Sequence, residues 1–115
     1  MDKVTYQFFV SMDVKEEFEN LFNEVYDKEH IPELLNVPGV EWVTRLKLEP
    51  GEMMIAGQSK SLNTDGVAKY LAVYGLSDPK AISSKEWDLA GEKGRWLIEV
   101  RPHTLNRSHV LRKVI

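Results

Sequence analysis

The chain has 115 residues, 43% hydrophobic and 29% charged, with a formal net charge of −3. That suits one globular domain, residues 1–115, whose core needs no disulfide or metal. The net acidity leaves no electrostatic footprint for nucleic acid, and the lack of cysteine excludes a disulfide frame, a cysteine-based zinc site and a thiol nucleophile. No apolar run approaches the roughly 18 residues of a membrane span, and Met1-Asp2-Lys3 does not open like a signal peptide. A cytoplasmic protein with no membrane partner is therefore expected.

Residues 4–12 alternate, with Val4, Tyr6, Phe8, Val10 and Met12 on one face, which is the period of a strand. Asp13, with Glu16 three residues on, reads as a capping box opening a helix. Phe18, Leu21, Phe22 and Val25 then form one apolar stripe; Tyr26 extends it and His30 lies one turn further. Pro32 has no N–H to donate, so the helix is expected to break near Glu29 and restart over residues 32–36, with a turn at Pro38-Gly39. Residues 40–48 alternate as a second strand, with Val40, Trp42 and Thr44 on one face and Val43 and Arg45 on the other.

Residues 51–66 read as a long loop with a hairpin excursion at residues 53–56. A third strand follows at residues 69–76. Ser77-Asp78-Pro79 starts a second helix over residues 81–90, which Gly91 ends. Residues 95–105 fit either a helical turn or a strand; Pro102 favours a helical or irregular path. Residues 107–115 alternate as the last strand. Arg101, Arg107, Arg112 and Lys113 cluster late and read as a solvated strand face. The order βαββαβ gives an α+β fold, a ferredoxin-like four-stranded antiparallel sheet with helices on one face. Its other face would carry Phe9, Val43, Leu71 and Val73, too apolar to stay wet, so a homodimer through that face is expected.

The chain resembles the ferredoxin-like dimeric α/β-barrel superfamily, and within it the EthD-like branch. The resemblance rests on Phe22-Asn23-Glu24-Val25-Tyr26-Asp27-Lys28-Glu29-His30-Ile31-Pro32, then Pro38-Gly39-Val40 and Arg45, then Tyr70-Leu71-Ala72-Val73-Tyr74 before Asp78-Pro79. Trp96, Arg101-Pro102-His103 and the closing residues 110–115 continue it. Many relatives carry tryptophan just before the motif tyrosine, where this chain has Val25. The resemblance implies a homodimer with a ligand cleft between each sheet and its own helices. It does not imply one chemistry, since relatives include monooxygenases, cyclases, an isomerase and haem-handling proteins.

His30 is the leading acid–base candidate, because an ordinary imidazole titrates near neutrality. The alternatives are a structural imidazole at the helix break and a ligand-orienting group. Asp27 is placed to orient it or to be solvated. Tyr6, Tyr26, Tyr70 and Tyr74 offer phenols to polarise a carbonyl, or pack as core. Phe22 shares the helix face of Tyr26 and His30. Arg45 suits a carboxylate at the dimer interface or an anionic substrate. Trp42, Trp87 and Trp96 are packing residues or the wall of an aromatic pocket. The three histidines are far apart in sequence, and no phosphate, flavin or nicotinamide motif is present, so neither metal nor cofactor is expected. The expected function is binding of a small apolar or aromatic oxygenated metabolite. His30, Tyr26 and Tyr74 would carry proton-transfer chemistry, and Phe22, Tyr6, Arg45, Asp27 and Trp87 would hold the ligand. A non-catalytic ligand-binding or accessory protein is the alternative.

Overall fold

The computed structural model describes residues 3–115; Met1 and Asp2, part of the segment read for a signal peptide, lie outside it. Its strands are β1 (Tyr6–Val14), β2 (Val40–Lys47), β3 (Glu52–Ile55), β4 (Gln58–Ser61), β5 (Tyr70–Leu76) and β6 (Thr104–Lys113). Four of them make one antiparallel sheet in the order β2-β5-β1-β6, the ferredoxin-like arrangement expected from βαββαβ. The helices α1 (Glu19–Val25), α2 (Ile31–Leu35) and α3 (Lys85–Gly91) cover one face. The core forms there, where Phe8, Val10 and Met12 of β1 and Ala72, Tyr74 and Leu76 of β5 meet Phe22, Val25, Leu34 and Val100. Burying each of the larger apolar side chains contributes about 1.5–3 kcal/mol. No helix among the described residues is long and apolar enough to cross a membrane.

Several local expectations are corrected. Asp13 belongs to β1 and caps no helix: its carboxylate accepts from the Lys69 backbone N–H at 2.7 Å and the Asn106 amide at 3.1 Å, tying β1 to its neighbours. The first helical turn, Glu16–Phe18, is a 3-10 turn without a side-chain cap. The helix does not break at Glu29. It runs through a π turn, Tyr26–His30, in which the Ile31 N–H reaches back to the Tyr26 carbonyl. That extra residue shifts the hydrogen-bond ladder just ahead of Pro32, so the missing donor falls in the first turn of α2, where it costs nothing. The second helix is also divided. Pro79–Ser83 is a 3-10 turn, and Ser84 caps α3 by accepting from the Trp87 N–H at 3.1 Å.

Residues 95–105 are helical at first, as favoured: a second π turn, Trp96–Val100, and a 3-10 turn, Arg101–His103, lead into β6. The excursion in residues 51–66 is the hairpin β3–β4, turning at Ala56-Gly57 rather than within 53–56. Both turn residues have positive φ, 51° and 77°, as a two-residue hairpin that follows the strand twist requires.

A bulge at Glu41 reassigns the faces of β2. Val40 pairs with Leu76 but Trp42 pairs with Gly75, so one residue is absorbed. Val43, expected on the open face, packs against the core, while Trp42 and Leu46 turn outward beside Leu71, Val73 and Phe9. The Trp42 ring lies on Gly75 so closely that an added Cβ would sit 2.2 Å from it. Gly75→Ala should therefore destabilise the fold by about 1–3 kcal/mol in urea denaturation, and Trp42→Ala in the same chain should restore most of that loss. Equal losses with and without the Trp42 ring would show that the contact is not the constraint.

Candidate functional site

Between the helix-covered sheet face and the two π turns lies a cavity of about 130 Å³. Its walls are Phe8, Val10, Met12, Leu34, Trp87 and Trp96, and its polar groups are Tyr26, His30, Tyr74, Arg101, Arg107 and His109. The volume is close to that of engineered cavities that accept a single aromatic ring.

The two π turns build the site by packing on each other. His30, last residue of the first turn, stacks on Trp96, first residue of the second, with ring centroids 4.2 Å apart and planes 18° from parallel. Tyr26 meets both rings edge-on, each at 5.0 Å. The neighbouring residues lock this stack. Glu29 accepts from the Arg95 backbone N–H at 3.0 Å and from its guanidinium Nε at 2.8 Å. Arg95 in turn holds the Glu29 carboxyl below its usual range.

His30 is only 8% exposed, and its Nδ1 is sealed with no hydrogen-bond partner. Burial, reinforced by Arg101 and Arg107, lowers its pKa to about 3, so the ring is neutral at physiological pH. The Tyr26 and Tyr74 hydroxyls bond each other at 3.0 Å. Burial raises both pKa values, Tyr74 the further, and both phenols stay protonated. One hydroxyl proton is used within the pair, which leaves the other free to donate to a guest.

His30, Tyr26, Tyr74 and Trp87 are thus brought together. The other sequence candidates lie elsewhere. Tyr6 packs against the core away from the cavity lining. Asp27 faces away from His30, accepting from Arg45 at 2.8 Å. Arg45 also donates to Asn23 at 2.8 Å and sits 4.6 Å over the Tyr26 ring, so it is satisfied within the chain. Phe22 lies fully buried behind Tyr26. Of the tryptophans, Trp87 and Trp96 line the cavity, while Trp42 is on the far sheet face.

Sequence reasoning missed Phe8, Arg101, Arg107 and His109 as lining residues. Arg107 and His109 are two apart in an alternating strand, a signal that places them on one face. Arg101 sits in the stretch without a clear period. The reading of a solvated strand face holds for Arg107, Arg112 and Lys113, which are exposed on β6, and is corrected for Arg101, which is half-buried in a 3-10 turn; Arg101 and Arg107 also border the cavity. Among the described residues, no group of three His, Asp or Glu side chains is arranged to hold a metal ion.

The neutral buried His30 makes stability depend on pH. In the unfolded chain its pKa is about 6.5, so between about pH 6 and 4 unfolding takes up a proton that the folded state refuses. Stability should fall as pH falls across that window. From pH 7 to 4.5 the native chain should lose about 2 kcal/mol more than His30→Phe, measured by urea denaturation. The comparison cancels the shares of His109, Glu19 and Glu29. Equal losses in both chains would mean an imidazole open to solvent.

No protein-family model matches the chain, and no curated protein matches it. Solved structures do. An EthD (ethyl tert-butyl ether) family protein from Bacillus halodurans is 12% identical, with a TM-score of 0.57 over 96% of this chain and 99% of its own. The haem degrader MhuD from Mycobacterium tuberculosis, solved with two haems in its active site, is 15% identical, with a TM-score of 0.52 over 96% of this chain and 95% of its own. At these identities the likeness is one of fold, and the chain has the ferredoxin-like fold of these proteins.

Proposed function

We propose that this protein binds a small, single-ring, oxygenated molecule in the cavity and promotes proton transfer on it. The observation that supports this is the meeting of a neutral imidazole and a paired phenol on a cavity of about 130 Å³ walled by aromatic rings. With Nδ1 sealed, Nε2 is the nitrogen left to meet a ligand, and a proton there avoids a buried orphan N–H. His30 Nε2 and a tyrosine hydroxyl then present two neutral donors to one ligand oxygen. Donors aimed at a carbonyl stabilise the negative charge that develops on its oxygen as a solvent water or hydroxide takes the α-proton and the enolate forms, which is the common step of enolisation, isomerisation and cyclisation. The haem chemistry of MhuD is not carried over, because a cavity of this volume takes one ring rather than a macrocycle.

A second reading, a ligand holder without catalysis, draws support from His30 itself. An imidazole whose pKa is about 3 takes up a proton weakly at pH 7. Cyclohexanone in D2O separates the two. Binding should shift the His30 ring resonances, and α-hydrogen exchange should be accelerated and fall at least tenfold in His30→Ala. Binding without acceleration would leave the holder reading, and exchange that survives His30→Ala would remove His30 from the mechanism.

The protein acts as a homodimer through the open sheet face. Phe9, Leu71, Val73 and Val110 share that face with Trp42, 37% exposed, and Leu46, 50% exposed. An apolar strip of this kind calls for a cover, and a two-fold copy of itself is the simplest one. Light scattering at micromolar concentration should give twice the chain mass, and Leu46→Glu, at an exposed position of that face, should halve it. A native monomer at that concentration would contradict the dimer.

A further inference from the structure

The polar groups of the cavity are unequal in charge. His30, Tyr26 and Tyr74 are neutral, while Arg101 and Arg107 are cations, and no aspartate or glutamate lines the cavity. Among the described residues neither arginine has an ion-pair partner. The fold treats other arginines differently: Asp27 neutralises Arg45 and Glu29 neutralises Arg95.

Local structure brings the two free guanidinium groups to one place. Arg101 opens the 3-10 turn that follows the second π turn, so the helix-side wall carries it there. Arg107 comes from β6. The pairing of β1 with β6 slips between Ser11 and Asp13, and Asn106, at φ 52°, absorbs the slip. Beyond that bulge Arg107 and His109 share the helix-side face of β6. Partial burial, and after it the Arg101 charge, lower the Arg107 pKa below its ordinary value. Both arginines also disfavour a proton on His30. Arg107 is exposed and Arg101 half-buried at the cavity edge, so water bears part of the cost of these two like charges, and an anionic guest would replace that water with direct charge-assisted hydrogen bonds.

We propose that Arg101 and Arg107 form the anion-receiving end of this cavity, so that its ligand is a small aromatic acid whose carboxylate lies between them while its ring enters among Phe8, Trp87 and Trp96. This rests on the cavity being a binding site and names the class of molecule it takes. The acid group fixes the ring's orientation, and a substituent oxygen at the far end of the ring meets His30 and the tyrosine pair. A guanidinium suits this role because it offers two parallel donors to a carboxylate.

The test uses benzoate, benzyl alcohol of nearly the same shape, and sulfate, with the intact chain followed by NMR of the His30 and Trp96 rings. Benzoate should bind at least tenfold more tightly than benzyl alcohol, as charge-assisted hydrogen bonds require. It should also raise the His30 pKa, which benzyl alcohol should leave in place. Arg101→Gln and Arg107→Gln should each remove most of the preference while benzyl alcohol binding persists, with the thermal midpoint confirming that each variant folds. Equal binding of the two probes, or a preference unchanged in both variants, would overturn the anion end and leave the cavity reading standing. Sulfate binding with no entry of either ring would reduce the arginines to a surface anion site and overturn the proposal. If neither ring enters and sulfate does not bind, the cavity reading fails with it.

Discussion

The stack of His30 on Trp96 is the contact on which the helix-covered half of the molecule depends. It joins two π turns that are 66 residues apart at the Glu29–Arg95 bond and have no regular helical interface between them. A π turn is wider than an α turn and leaves its backbone less tightly packed, so each needs support from outside. Here each supports the other: the rings meet in the interior while Glu29 and Arg95 close the outer edge. The cavity is the space this arrangement leaves against the sheet. Filling it would need a side chain larger than any that Val10, Met12 or Leu34 presents.

The regular parts of the fold were legible in the sequence. Alternation found β1, β2 and β6, the apolar run of residues 69–76 marked β5 without alternating, and the spacing of Phe18, Leu21, Phe22 and Val25 found α1. The irregular parts were hidden, because each depends on one residue whose effect is not periodic. Glu41 is absorbed by a bulge, and every outward and inward assignment around Trp42 and Val43 changes with it. Pro32 interrupts a plain α ladder, but not one that a π turn has already shifted by a residue. Asp13 had the spacing of a cap, yet β1 runs two residues further than its alternating run suggested. Half the site followed from the motif around His30. The other half, Arg101, Arg107 and His109, comes from a stretch where helix and strand periods compete and from an edge strand whose charges resemble an ordinary wet face.

The molecule sorts its arginines by position. Arg45 is fully engaged, with its plane over Tyr26 and its donors taken by Asp27 and Asn23, and it supports the outer side of the tyrosine whose hydroxyl meets Tyr74. That fixes the ring of Tyr26 from behind. On the opposite side the arginines are unmatched. The interior between them holds only neutral polar groups, and burial keeps them neutral. A gradient of charge therefore crosses the cavity, set by which cations have been given a carboxylate.

The first π turn has a further consequence for how this helix can vary. Each helical residue advances the side-chain direction by about 100°. The extra residue in Tyr26–His30 lets α1 and α2 both face the sheet although the chain between them is one residue too long for a plain α-helix. Deleting one residue of that turn would restore a regular ladder and leave the two flanks facing the sheet as they do now. Phe22 and Leu34 would keep their places while the imidazole changed its bearing. The position of His30 is thus written in the length of the helix as well as in its residues, and a chain of the same fold with one residue fewer here would lack this site even if it kept the histidine.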